Sequence, residues 1–143
     1  MNLENRVVVI TGAAGGLGRV VTRTFAEQGA RLALLGTRVE PLNELVNELK
    51  LPTERALTLA ADLSQAAATK AAAEAVIQRF GRAEILLHFV GGWAGGTPVT
   101  EVAASVVSDM LRQHLWTTFN AVPAFVPALL TNGWGRLMVI SSP

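Results

Sequence analysis

The stretch TGAAGGLG, from Thr11 to Gly18, decides the fold because its glycines lie between a strand pattern and a helix pattern. Residues 6–10 read RVVVI, a β-branched run typical of a strand that is buried on both faces. From Leu17 the apolar positions recur at helical spacing until Gly29. Glycines at such a junction permit a tight turn and a close approach of backbone to a pyrophosphate, which the free N–H groups of the helix attract. The stretch therefore predicts a dinucleotide-binding turn, with a ligand-free glycine turn as the alternative.

Strand and helix patterns alternate along the rest of the chain. Ser64 is a candidate cap for the third helix, and Pro123 and Pro127 are expected to bend the fourth before Asn132-Gly133 ends it. Alternation with these lengths predicts a parallel sheet covered by helices, and it strengthens the dinucleotide interpretation of the turn. The predicted strands are 6–10, 31–36, 56–60, 84–90 and 136–141, and the predicted helices are 17–28, 41–50, 64–80 and 105–130.

Composition narrows the class of protein. The chain has 143 residues, 50% of them hydrophobic, which fits one domain over residues 1–143. A net charge of +1 without a basic run predicts no nucleic-acid partner and no membrane-surface binding. The absence of cysteine predicts no thiolate metal site, and metal binding is not expected. No signal peptide and no apolar window of about 20 residues is present, so a soluble, cytoplasmic protein is expected.

The glycine stretch resembles the motif T-G-x-x-x-G-x-G of the short-chain dehydrogenase/reductase family, and the resemblance extends over the whole chain. It implies an α/β, Rossmann-type doubly wound parallel sheet of about five strands in the order 3-2-1-4-5, with helices on both faces. It also implies an NAD(P)-dependent oxidoreductase that transfers a hydride between a nicotinamide cofactor and a small alcohol or carbonyl substrate. Six residues of the turn are then expected to bind the cofactor: Thr11, Gly12, Gly15, Gly16, Leu17 and Gly18.

Two further stretches resemble family motifs near the cofactor. AADLS resembles the acidic motif after strand three, which implies Asp62 at the adenine edge and Leu63 beside the ring; Asp62 as a simple loop acid is the alternative. HFVGG falls where the family has N-N-A-G, but His88 and Phe89 replace the asparagines and only the glycine is retained. The resemblance implies that the backbone of Val90 and Gly91 faces the cofactor ribose.

The end of strand two bears on the choice between NADP and NAD. An acidic residue there would bind the ribose 2′-hydroxyl of NAD, but the sequence has Gly36 at that position. Thr37 and Arg38 follow and offer a hydroxyl and a guanidinium suited to the 2′-phosphate of NADP. Gly15 stands where the family often has an arginine that grips this phosphate, and Arg38 as a solvated charge remains open. NADP is favoured, with NAD as the alternative.

The catalytic residues implied by the resemblance are incomplete. GWGRLMVISSP resembles the family's strand five, which places the catalytic serine at Ser142. His114 occupies the position of a family asparagine that organises a proton-relay water, unless it is a buried histidine satisfied by a backbone carbonyl. The family's Tyr-x-x-x-Lys pair is expected about a dozen residues past the serine, and the chain contains no tyrosine. We therefore expect a truncated chain, without the catalytic and substrate-binding segment, that is inactive by itself.

Other functions remain open from the sequence. The missing Tyr-Lys pair would suit a non-catalytic nucleotide-binding module, such as a sensor or regulatory partner, and a purely structural or interaction role is a further alternative. Within strand four, His88 is interpreted as structural. Self-association into a homo-oligomer is expected because the fifth strand presents an unpaired edge, and because Trp116 and Phe119 lie on a helix flank that family members bury between subunits.

Overall fold

The computed structural model describes residues 3–141 and contains a single sheet surrounded by helices. The strands are β1 (Val7–Thr11), β2 (Arg31–Gly36), β3 (Ala56–Ala60), β4 (Ile85–His88) and β5 (Arg136–Val139). The helices are α1 (Gly16–Glu27), α2 (Glu40–Glu48), α3 (Ala66–Phe80), α4 (Ala104–Met110) and α5 (Thr117–Thr131), with the π-helical segment Leu111–Trp116 between α4 and α5. Short 3-10 turns lie at Thr53–Arg55 and Val99–Glu101.

All neighbouring strands are parallel, in the order β3-β2-β1-β4-β5. This confirms the predicted doubly wound topology, in which the strand order reverses between β1 and β4. At that point the register pairs Thr11 with His88, at the carboxyl ends of both strands. Loops after these strand ends therefore meet at one edge of the sheet, where ligands bind in folds of this kind.

The sheet is covered on both faces because successive side chains of its central strands alternate between two cores. Val7 and Val9 belong to the core under α3 and α5. Val8 and Ile10 belong to the core under α1 and α2. All five residues of β1 are buried, as the β-branched run predicts. The edge strand β5, in contrast, is exposed along its length.

The long fourth helix is predicted correctly in extent but not in its internal geometry. Helical backbone runs from Ala104 to Thr131, and Gly133, two residues later, has a φ of 64° in the left-handed region. Its middle turn and a half, Leu111–Trp116, is π-helical. A π-turn adds a residue to the helix and shifts the side chains that follow, and such turns are frequent at functional sites.

Ser64 does not cap α3, in contrast to the prediction. The residue before the helix is Gln65, and no side chain within the described residues caps the first turn. The Ser64 hydroxyl instead donates to the Asp62 carboxylate, Oγ to Oδ1, at 2.7 Å. This local turn after β3 competes successfully for the hydroxyl, as is usual for neighbouring serine and aspartate residues.

A buried carboxylate joins β1 and β4 at the amino-terminal end of the sheet. Glu84, 2% exposed, accepts hydrogen bonds from the Val7 N–H at 2.9 Å and from the Arg6 guanidinium, and Arg82 Nε lies 3.3 Å from its Oε2. Burial opposes ionisation, but these hydrogen bonds and positive charges outweigh it, so the pKa of Glu84 lies below its ordinary value. The charged cluster thus fixes the strand ends opposite the predicted cofactor site.

Trp134 lies beside this cluster, and its ring contacts two guanidinium groups. Arg6 is 4.7 Å and Arg136 4.8 Å from the centroid of its ring. Both distances fall within the range of a cation–π contact. These contacts link the residue before β1 to the first residue of β5.

No helix among residues 3–141 combines the length and the apolarity that crossing a membrane requires.

Candidate functional site: a cleft at the carboxyl ends of the strands

A cleft of about 500 Å³ opens at the carboxyl edge of the sheet, where the strand order reverses. Seven residues that the sequence marks as cofactor-binding line it: Gly12, Gly15, Thr37, Asp62, Leu63, Val90 and Gly91. Thr11 lies buried at the end of β1. The remaining cofactor-binding candidates, Gly16, Leu17, Gly18 and Arg38, are not part of the lining. The cleft therefore brings together the glycine turn, the ends of β2 and β3, and the segment after β4.

Two glycines of the turn are required by the packing of the protein itself. Gly12 has a φ of +67°, and a Cβ there would lie 2.9 Å from the Phe89 carbonyl oxygen. A Cβ at Gly18 would lie 2.2 Å from the Gly12 carbonyl oxygen. Helix α1 can therefore approach the turn only because position 18 has no side chain.

Gly16 has no such packing requirement. A Cβ at this position would meet no atom within 4 Å. In the described part of the chain no side chain caps α1, so the first-turn N–H groups of Gly16, Leu17 and Gly18 have no capping acceptor. Free donors, the positive end of the helix dipole and open space are the features that could hold an anion beside the cleft. This geometry fits the pyrophosphate of a dinucleotide.

The end of β2 offers polar groups without a carboxylate. Gly36 and Thr37 line the cleft, and Thr37 is exposed there. Arg38 is also exposed, and within residues 3–141 its guanidinium makes no hydrogen bond or ion pair. An exposed, unpaired guanidinium next to the cleft is available to a phosphate.

Asp62 is held in place by the turn that follows β3. Its Oδ1 accepts hydrogen bonds from the Ser64 hydroxyl at 2.7 Å and from the Ser64 N–H at 2.9 Å. The pKa of Asp62 is lowered mainly by the hydrogen bond from the Ser64 hydroxyl, and further by the hydrogen bond from the Ser64 N–H. The positive charge of Arg112 adds to this effect. Asp62 is therefore an oriented carboxylate in the cleft lining.

The next residue, Leu63, is buried, and its carbonyl accepts from the Asn120 side chain at 3.0 Å.

Residues of the π-helical segment and α5 form a wall of the cleft that the sequence analysis missed. Arg112, Gln113 and Thr117 belong to the lining. The Arg112 guanidinium donates to Asp109 at 2.9 Å. Helical spacing of Gln113 and Thr117, four residues apart, was a signal that both share one face, but it does not indicate which face meets the sheet.

His114 lies next to the segment after β4 and is exposed rather than buried against the sheet. Its Nε2 lies 2.8 Å from the Gly92 carbonyl oxygen and 3.2 Å from the Gly92 nitrogen. A Cβ at Gly91 would come within 2.9 Å of the ring, so a larger residue there would require the His114 side chain to move. The carbonyl contact agrees with the structural interpretation, whereas exposure leaves the ring accessible to a water.

His88, the other histidine, is 3% exposed and lies between two threonine hydroxyls. Burial lowers its pKa to about 4, so the imidazole is neutral at physiological pH. Ser142, the predicted catalytic serine, lies outside the described residues. Among residues 3–141, no three histidine, aspartate or glutamate side chains are grouped to hold a metal ion.

The cleft and the strand order define a nucleotide-binding fold of the doubly wound class. The sequence profile of the short chain dehydrogenase family matches residues 6–143. The chain belongs to this family.

Relatives and solved structures agree with this assignment. The chain is 36% identical over 139 residues to 1,6-dihydroxycyclohexa-2,4-diene-1-carboxylate dehydrogenase of Pseudomonas putida, covering 97% of the chain and 51% of that protein. It is 32% identical to dehydrogenase/reductase SDR family member 7B of Danio rerio, and the match covers 99% of the chain and 47% of that protein. A metagenomic short-chain oxidoreductase in complex with NADP superposes with a TM-score of 0.90 at 29% identity, covering 99% and 64%. The chain thus spans about half the length of these two curated relatives.

Proposed function

We propose that the chain binds a nicotinamide dinucleotide, with NADP(H) preferred over NAD(H), as part of an oxidoreductase acting on an alcohol or carbonyl. The observation that carries this proposal is the uncapped first turn of α1 with open space at Gly16. Protein packing requires glycine at positions 12 and 18 but not at 16. Glycine at position 16 is explained if a ligand binds there and must approach the backbone closely.

The residues of the cleft have separate proposed roles. The N–H groups at the start of α1 hold the pyrophosphate, and the backbone of Val90 and Gly91 faces the nicotinamide-side ribose. Asp62, oriented by Ser64, accepts from the adenine edge while Leu63 packs beside the ring. The cofactor, when bound, supplies the hydride-transfer chemistry. The chain's own residues bind and orient it.

The preference for NADP rests on the end of β2. An acidic residue at position 36 would repel a 2′-phosphate, but glycine stands there. Thr37 and the unpaired guanidinium of Arg38 offer charge-assisted hydrogen bonds instead.

Catalysis is proposed to involve residues of the substrate side. By resemblance to the family, Ser142 holds the substrate oxygen, and the accessible His114 orients a water that relays protons. A small-molecule substrate, a cytoplasmic location and a homo-oligomeric assembly complete the proposal.

A non-catalytic nucleotide-binding module is the second candidate. It is favoured by His88 and Phe89, which stand where the family has two asparagines. Both candidates require cofactor binding, and only the oxidoreductase requires turnover. Oxidation of NADPH by a carbonyl substrate, followed by absorbance, separates the two.

The cofactor assignment is tested by calorimetric titration of the protein with NADPH and NADH. Arg38→Ala should raise the Kd for NADPH roughly tenfold and leave that for NADH nearly unchanged, because one charge-assisted phosphate contact is lost. Lys70→Ala is the matched control: it removes an exposed positive charge from α3, away from the cleft. An equal effect of both variants would contradict the role of Arg38. No binding of either cofactor would overturn the proposed function.

A further inference from the structure

His88 connects three elements at the inner end of the cleft. Its Nδ1 lies 2.8 Å from Thr11 Oγ1 at the end of β1, and its Nε2 lies 3.3 Å from Thr117 Oγ1 at the start of α5. The residue itself ends β4 and is 3% exposed. A buried ring therefore joins the two central strands to the helix that closes the cleft.

The hydrogen bonds of both hydroxyls determine where the imidazole proton is. The Thr117 hydroxyl donates to the Gln113 carbonyl at 2.6 Å, so its oxygen is left to accept, and the His88 Nε2–H donates to it. The Phe89 N–H is shared between Thr11 Oγ1 and the Thr11 carbonyl oxygen, each at 3.2 Å, and the Thr11 hydroxyl donates its own proton to Nδ1. Every donor finds an acceptor only when the ring is neutral and protonated on Nε2.

The groups connected by His88 belong to the cleft. Gln113 and Thr117 form its helical wall, and Phe89 lines it at the point where the chain leaves β4. The next two residues, Val90 and Gly91, are those proposed to face the ribose. A change at position 88 would thus displace two walls of the cleft relative to each other.

We propose that His88 is a positioning residue which, as the neutral Nε2–H tautomer, sets the spacing between the segment after β4 and the helical wall that begins α5. This inference rests on the proposed cofactor-binding function of the cleft. It goes beyond the family resemblance, in which position 88 is an asparagine, because the imidazole reaches Thr117 in addition to Thr11.

Two variants separate the contacts. His88→Leu keeps the side-chain volume but removes the hydrogen bonds to Thr11 and Thr117. His88→Gln keeps an amide that can reach toward Thr117. We expect His88→Leu to raise the Kd for NADPH about tenfold and His88→Gln to recover part of that loss. Equal affinities of wild type and His88→Leu would overturn the proposal.

Nitrogen NMR of the histidine-labelled protein at neutral pH reads the tautomer directly. The expected spectrum has a pyrrole-type nitrogen at Nε2 and a pyridine-type nitrogen at Nδ1, assigned by their loss in His88→Gln. The opposite tautomer, or a protonated ring, would overturn the proposal. This measurement uses the wild-type protein and stands even where His88→Leu fails to fold.

Hydrogen exchange gives a readout that does not depend on the cofactor. In His88→Gln, the amides of residues 89–92 and 113–117 should exchange faster, while those around Glu84 at the far end of β4 should not change. Uniformly faster exchange over the sheet would mean a general loss of stability and would overturn the positioning role. Local faster exchange without any NADPH binding by the wild type would support the positioning role and overturn the proposed function.

Discussion

Gly16 and Gly18 belong to one turn but are required for different physical reasons. The Cβ of a residue at position 18 would overlap the Gly12 carbonyl oxygen at 2.2 Å, whereas one at position 16 would enter open space. Position 18 is therefore constrained by folding, whereas position 16 is constrained only under the proposal that a phosphate binds beside it. The motif in the sequence indicates both positions without telling them apart.

This difference predicts opposite phenotypes for substitutions at the two positions. Gly16→Val should keep the melting temperature of wild type and abolish NADPH binding, because the branched side chain occupies the anion site. Gly18→Ala should lower the melting temperature, because the helix must move away from the turn. Circular dichroism and calorimetry measure the two effects. Wild-type affinity in Gly16→Val would refute the assignment of the anion site.

The lining of the cleft was predictable where the signal is local. Thr37, predicted from the end of strand two, and Asp62 and Gly91, implied by the family resemblance, lie in the lining because each follows a strand and parallel strand ends meet at one edge. Arg112 and Gln113 were missed because they reach the cleft only through the packing of a helix distant in sequence. The orientation of that helix is a tertiary property.

At the scale of elements, boundaries agree best where the chain carries its own stop signals. β2 and β3 are predicted at residues 31–36 and 56–60, as observed, and α3 ends at Phe80, before Gly81 with its φ of 76°. The predicted fourth strand is too long, since the ladder ends at His88. The π-helical segment was also missed, because no composition rule distinguishes it from α-helix.

The buried carboxylate of Glu84 connects the amino-terminal ends of β1 and β4. Glu84→Gln should lower the free energy of unfolding by about 2 kcal/mol, since hydrogen bonds to a charged group are lost and two arginines keep their charge. Glu48→Gln is the control, because Glu48 is 49% exposed and its ion pairs with Arg19 and Arg23 are worth less than about 0.5 kcal/mol. Urea titration compares the variants, and equal losses would contradict the importance of Glu84.

The stability of the whole molecule should depend on pH through His88. Its pKa is lowered to about 4 in the folded state from an ordinary 6.5, so the unfolded chain binds more protons between these values. The contribution of the neutral ring, about 3 kcal/mol, is present above pH 6.5 and is lost as the pH falls toward 4. Melting temperatures measured across this range should fall with acidity.

The comparison variant for this pH effect is His88→Asn, which cannot titrate and should flatten the profile between pH 6.5 and 4. Glu84 and Asp62 have pKa values lowered from 4.5 and 3.8, so their contributions are lost at more acidic pH. The same slope in wild type and His88→Asn would exclude His88 as its source.

The apolar flank of the last helix predicts self-association of the molecule. Trp116 and Phe119 are 49% and 62% exposed, and their rings form an edge-to-face pair with centroids 5.9 Å apart. An exposed aromatic pair of this kind is typical of a surface that another protein covers. Sedimentation velocity should show association that increases with concentration and is weakened in Phe119→Glu. Association should be unchanged in Val20→Glu, because Val20 lies on α1, which covers the opposite face of the sheet. A monomer at every concentration would refute the expectation.

The contacts of Trp134 with two guanidinium groups make its intrinsic fluorescence a probe of local structure. Trp93 and Trp116 are 84% and 49% exposed, whereas Trp134 is partly buried and contacts Arg6 and Arg136. Its fluorescence therefore reports on the amino-terminal end of the sheet, at the opposite edge from the cleft. Red-shifted emission during denaturation follows the separation of β5 and the residue before β1, without any added dye or label.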